Sequence, residues 1–100
     1  MSPRELAIVL SELAQQDLED ILQYTLQTWG AAQMDIYAAR LEGGISLLLA
    51  NPALGRPRED WFDGCRIYQI EHHLVVYEIG DHEIRVARIF HKRMDISDHL

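Results

Sequence analysis

The chain has 100 residues, 48% hydrophobic and 25% charged, with one cysteine. That predicts a single domain over residues 1–100 built on one core, and it excludes a disordered chain and an internal disulfide. The net charge of −7 argues against general nucleic-acid affinity, which needs Lys and Arg to neutralise phosphates.

In chain order, Arg4 to Leu10 reads as a short strand, Leu6, Ile8 and Leu10 alternating with Ala7 and Val9. Both sets are apolar, which predicts cover on both sides. Ser11 reads as the N-cap of a helix of about five turns. Along it Leu13, Ala14, Leu18, Ile21, Leu22, Thr25 and Trp29 recur at helical spacing, and Gly30 is its C-cap. Asp17, Glu19 and Asp20 fall on the side expected to face solvent. A second helix is expected from Ala31 to Ala50, with Met34, Tyr37, Ala38, Leu41, Ile45 and Leu48 on one face. Ile36, Leu47 and Leu49 make a second apolar patch. Gly43 and Gly44 interrupt this helix, each at ~1 kcal/mol relative to Ala. They mark tight packing, a bend, or close approach of a partner. The link at Trp29–Gly30 is short enough to force an antiparallel helical hairpin.

Asn51 to Gly64 reads as a loop. Three strands follow: Cys65 to Glu71, Leu74 to Ile79, and Glu83 to Phe90. The separators His72–His73 and Gly80–His82 are short, which predicts an antiparallel meander. The expected fold is α+β in the order β-α-α-β-β-β, an N-terminal strand and helical hairpin packed on a small antiparallel sheet. Simple alternation sets Ile84, Val86, Arg88 and Phe90 on one face of the last strand and Arg85, Ala87, Ile89 and His91 on the other. Both faces then carry apolar residues, and the hairpin covers one. The second is expected to meet the chain termini, a second copy or another protein.

Chemistry-bearing motifs are sparse. His72–His73 lacks companions at metal-ligand spacing and reads as a turn. Cys65 has no activator beyond Arg66 and reads as a buried small residue. No nucleophile elbow, zinc-protease or phosphate-loop pattern occurs. Residues 1–50 carry two cations against seven acids, and residues 51–100 seven against nine, so basic chemistry belongs to the second half. Its densest part is Arg85, Arg88, His91, Lys92 and Arg93. These pair with nearby acids such as Glu78, Asp81 and Asp95, or else hold phosphate beside an acid/base His91. After Phe90 the strand pattern stops, and MDISDHL has too few apolar residues for a core element.

Four stretches together carry a resemblance. AQQDLEDILQYTLQTWG (14–30) and AAQMDIYAARLEGGISLLLANPALGRPRED (31–60) are similar to the helical hairpin and following loop of the ParE branch of the RelE/ParE superfamily of type II toxin–antitoxin toxins. IEHHLVVYEI (70–79) and VARIFHKRMD (86–95) are similar to its middle hairpin and closing strand. The resemblance implies the fold derived above and a cytoplasmic toxin that poisons DNA gyrase, traps its cleaved-DNA complex and blocks replication, on plasmids enforcing their retention. It implies a ParD-like antitoxin that folds on the toxin and itself carries the DNA contact. The absence of a complete nucleophile, base and electrophile set predicts no intrinsic catalysis, no metal and no organic cofactor, and the longest apolar run, Ile45 to Ala50, is too short for a membrane span. Antitoxin contacts are expected at Leu22, Leu26, Ile36, Leu47 and Tyr77. Target contacts are expected at Lys92, Arg93, Asp95 and Leu100, with Trp29 at the hairpin tip. The alternative is a RelE-like ribosome-dependent mRNA endoribonuclease, for which Arg66, Arg85 and His91 would be the catalytic set.

Overall fold

The computed structural model describes residues 6–93. It runs β1 (Ala7–Leu10), α1 (Glu12–Trp29), α2 (Ala31–Ala50), a 3-10 turn at Pro52–Leu54, β2 (Arg56–Pro57), β3 (Arg66–Ile70), β4 (His73–Ile79) and β5 (Glu83–His91). The expected order is present, with β2 inside the segment read as loop. Two residues, one of them a proline, are too short for any alternation to show.

Local rules place the helices. Ser11 Oγ accepts from the Ala14 N–H at 3.0 Å and donates to the Ala87 carbonyl at 2.7 Å, so the α1 cap also ties α1 to β5. Gly30 ends α1 and starts α2 at φ +92°, a conformation residues with a Cβ rarely adopt. A one-residue joint between helices leaves an antiparallel hairpin.

The sheet order is β1-β5-β4-β3-β2. β1 pairs parallel with β5, Ala7 opposite Glu83 through Leu10 opposite Val86, and every other pairing is antiparallel. The helical hairpin is therefore the crossover between β1 and the meander. Its buried residues Ala14, Tyr37, Leu41, Ile45 and Leu48 pack with Ile70, Val75, Tyr77, Ile84, Val86 and Ile89 of the sheet.

Four expectations need correcting. The β3–β4 turn is not His72–His73: Glu71 takes the left-handed conformation, φ 53°, and His73 already belongs to β4. β1 is not covered on both sides, because Ala7 and Val9 are exposed. Simple alternation fails on β5. A bulge follows Val86, where Tyr77 pairs with Val86 but Val76 pairs with Arg88, leaving Ala87 over. One extra residue exchanges the faces beyond it. Ile89 joins Ile84 and Val86 in the core under the helices, and Phe90 turns to the other side. Finally, part of that second face is covered from within the chain. Trp61 and Phe62, from the loop after β2, pack over Cys65, Ile67, Val76 and Phe90.

Tyr77 shows how the loop after α2 is held. Its Oη donates to the Pro52 carbonyl at 2.6 Å and accepts from the Gly55 N–H at 2.9 Å. A Cβ on Gly55 would stand 2.6 Å from the Tyr77 ring. Gly55→Ala is therefore expected to cost about 1–3 kcal/mol by overpacking. Tyr77→Phe, which leaves the Gly55 N–H without its partner, is expected to cost about 1–2 kcal/mol. Urea denaturation of the two variants measures both.

Candidate functional site

β1 stops opposite Val86, so β5 continues past it without a strand on that side among the described residues. α1 supplies the missing partners. Ser11 Oγ takes the Ala87 carbonyl, and the Asp17 carboxylate accepts from the Ile89 N–H at 2.9 Å. The same carboxylate receives both Arg88 Nε, at 2.8 Å, and Arg88 Nη2, at 3.0 Å. Asp17, read from its position as surface charge, is thus a bridge between helix and sheet. The helical period shows where a side chain points, but not that a strand edge lies within its reach.

Beside this bridge a groove of about 870 Å³ opens between the two helices and the far end of β4 and β5. At its inner end the Tyr37 hydroxyl accepts from the His72 N–H at 3.3 Å and is hydrogen-bonded to His73 Nδ1. The His91 ring lies edge-on to His73, centroids 5.2 Å apart, and stacks on His72 at 6.4 Å. Burial, reinforced by the charges His91 and His72 would carry, holds the His73 pKa down to about 4. Burial and the neighbouring Arg93 likewise lower that of His91. At neutral pH both rings are uncharged, and the Tyr37 hydroxyl, which also accepts from the His72 N–H, ties His73 Nδ1 to the start of the turn. The groove's arginines are engaged, Arg88 by Asp17 and Arg40 with Glu71 at 4.0 Å. Among the described residues no group of three His, Cys, Asp or Glu side chains could hold a metal ion. This cluster was missed because a count back from the Gly80–His82 turn sets Phe90, not His91, opposite His73. The bulge shifts the register by one.

The set Arg66, Arg85 and His91 is not brought together. Arg66 donates to the Gly55 carbonyl at 2.6 Å and holds the loop after α2. Arg85 is bound by Glu78 at 2.8 Å and Glu83 at 2.9 Å. His91 lies six residues further along β5, about 20 Å at strand rise, too far to share one phosphodiester with Arg85. His91 Nδ1 accepts from the Arg93 N–H at 3.1 Å. Cys65 is fully buried, which pushes its thiol pKa up to about 11 and keeps it protonated.

The expected partner contacts divide differently. Leu26, Ile36 and Leu47 are 38%, 47% and 52% exposed, and Leu22 is half-buried. Tyr77 is fully buried, so it is a core residue and not a contact: its hydroxyl serves Pro52 and Gly55. Trp29 stands 70% exposed where α1 ends. Lys92 and Arg93 are exposed just past β5, and Asp95 and Leu100 lie outside the described residues. No described helix is long and apolar enough to cross a membrane.

Comparison with known proteins agrees with this architecture. Residues 8–96 match the family model described as ParE toxin of type II toxin-antitoxin system, parDE. Toxin ParE of Escherichia coli is 38% identical over 96 residues, covering 94% of this chain and 92% of the relative. Toxin ParE1 of Caulobacter vibrioides is 34% identical over 91 residues, covering 91% and 94%. The solved chromosomal ParDE toxin–antitoxin system of P. aeruginosa contains a chain that superposes with a TM-score of 0.75 at 20% identity, over 89% of this chain and 98% of that one. That last likeness speaks to the fold, and the sequence matches speak to descent. Together they show that the chain belongs to the ParE toxin family of type II toxin–antitoxin systems.

Proposed function

We propose that this toxin poisons DNA gyrase in the cytoplasm and blocks replication, and that a ParD-like antitoxin keeps it inactive. The observation that carries this reading is the family match running from residue 8 to residue 96. The described surface supports it. Leu26, Ile36 and Leu47 leave apolar area on the hairpin for a segment that folds as it binds. A chain of net charge −7 suits a target that is a protein–DNA machine and not bare nucleic acid. The engaged states of Arg66 and Arg85 remove support from a ribonuclease.

The test has two arms. The chain mixed with the product of the reading frame beside its gene is expected to elute as one stable complex in size-exclusion chromatography, and separate elution contradicts the antitoxin reading. Added to translating ribosomes, the free toxin is expected to leave mRNA intact. Cleavage that disappears in His91→Ala would establish the ribonuclease instead.

Target contact is assigned to Lys92, Arg93 and the segment Asp95–Leu100, with Trp29 next. Changing Lys92 and Arg93 to Ala, or ending the chain before Asp95, is expected to weaken gyrase poisoning about tenfold or more. Antitoxin binding and the melting transition are expected to survive, since the hairpin is untouched. Loss of the melting transition would make the segment structural. Full poisoning would move the contact surface to Trp29.

A further inference from the structure

β5 ends at His91, and the two residues that follow it are fixed by histidines. The Lys92 N–H donates to the His72 carbonyl at 2.8 Å, extending the β4–β5 ladder one step past the His73–His91 pair. The Arg93 N–H donates to His91 Nδ1 at 3.1 Å. Among the described residues these are the hydrogen bonds that hold Lys92 and Arg93 to the fold. The His91 ring in turn stands edge-on to His73 and stacked on His72, and His73 is tied to Tyr37. Only an imidazole without a proton on Nδ1 can accept the Arg93 bond. The surroundings favour that state. Burial, then the charges of Arg93, His72 and Lys92, lower the His91 pKa. The carboxylates that share the groove are engaged elsewhere: Asp17 by Arg88, Glu71 with Arg40 at 4.0 Å, and Asp20 by the Gln16 amide at 2.8 Å.

We propose that the histidine cluster is an acid-operated clasp on Lys92 and Arg93: the neutral His91 ring holds them against the end of the sheet, and a proton on its Nδ1 lets them go. Protonation turns the acceptor into a donor, so two N–H groups face each other. It also sets an imidazolium beside Lys92 and Arg93, and like charges repel. The clasped form favours the neutral ring, so it takes up the proton less readily than the released form. The clasp is therefore closed above about pH 6.5, the ordinary histidine value, and opens progressively as pH falls below it. His91 is less buried than His73, whose pKa is held at about 4, so the clasp opens while His73 is still neutral. Lys92 and Arg93 are assigned to target contact, and the effect of the clasp on poisoning rests on that reading. Acid loosens the contact segment and leaves the helical hairpin intact.

The test follows the isotope-labelled full chain by NMR from pH 7.5 to 5. The His91 ring is expected to titrate, and the Lys92 and Arg93 amides to lose their order with the same midpoint. The amides of Val75 and Val86, both fully buried, are expected to stay unchanged. His91→Asn sets an amide oxygen near the place of Nδ1 and cannot titrate, so it is expected to keep Lys92 and Arg93 ordered down to pH 5. His91→Lys carries the charge throughout. It is expected to release both residues at pH 7.5 and to weaken gyrase poisoning about tenfold there, with Val75 and Val86 still ordered. Lys92 and Arg93 amides that ignore the His91 titration, or that loosen equally in His91→Asn, overturn the clasp. Core amides lost at the same midpoint overturn it too, by making the transition one of global unfolding. Full poisoning by His91→Lys with both residues released overturns the regulatory role. No poisoning by the wild-type chain, with the amide transition present, overturns the gyrase reading and leaves the clasp standing.

Discussion

Replacing Asp17 with alanine is expected to destabilise the folded chain by about 3 kcal/mol, the scale for breaking a largely buried ion pair from one side. For a domain of this length that corresponds to a melting temperature lower by roughly 12–24 °C. The size follows from three bonds meeting at one carboxylate, two from Arg88 and one from the Ile89 backbone. The pair is mostly withdrawn from water, with side chains 19% exposed for Arg88 and 15% for Asp17. The guanidinium also lies over the Phe90 ring, 4.5 Å from its centroid. Alanine leaves a half-buried cation without its anion and a strand-edge N–H without an acceptor. The double variant Asp17→Leu/Arg88→Met removes both charges and is expected to lose less than Asp17→Ala alone. Thermal melts of the two variants, with Arg88→Met completing the cycle, measure the coupling. A melting temperature for Asp17→Ala within a few degrees of wild type would contradict the bridge.

Acid is expected to weaken the fold before the carboxylates titrate. Burial holds the His73 pKa at about 4, and an unfolded histidine sits near 6.5. Between those values the unfolded chain takes up a proton that the folded chain refuses, so stability is full above about pH 6.5 and falls as pH drops toward 4. The difference amounts to about 3 kcal/mol at the lower end. His91, also lowered, acts in the same direction. Groups facing the cluster from the packed elements include Asp17 and Asp20 on α1, Arg40 on α2, Glu71 in the turn and Arg88 on β5. Urea midpoints at several pH values from 7.5 to 4 measure the slope. His73→Gln, which keeps a hydrogen-bonding partner for Tyr37 but cannot titrate, is expected to flatten most of it. An unaltered slope in that variant would place the titrating group elsewhere.

The helices were legible because their signals are local. Ser11, Gly30 and Asn51–Pro52 bound them in the residues themselves, and the inward face of α2 follows helical spacing. The meander was legible from its two short separators. What stayed hidden depends on long-range register. The bulge after Val86 turns Ile89 inward, sends Phe90 outward and brings His91 opposite His73, and no alternation within β5 announces it. Asp17 looked like surface charge because its partners lie 71 and 72 residues away. The glycine pair was visible as an anomaly. Only the position of Ile70 separates a packing glycine from an open one. Of the candidate site, Ile36, Leu47 and Trp29 were readable as apolar residues without an obvious place in the core, whereas Tyr77 was misread because its hydroxyl serves a loop far along the chain.

Supercoiling of relaxed plasmid by purified DNA gyrase tests the toxin's target in one measurement. With the toxin added, supercoiling is expected to stop and cleaved plasmid to accumulate on the enzyme, and prior addition of the antitoxin is expected to restore normal turnover. Unimpaired supercoiling with a folded, antitoxin-binding toxin in excess would show that gyrase is not the target.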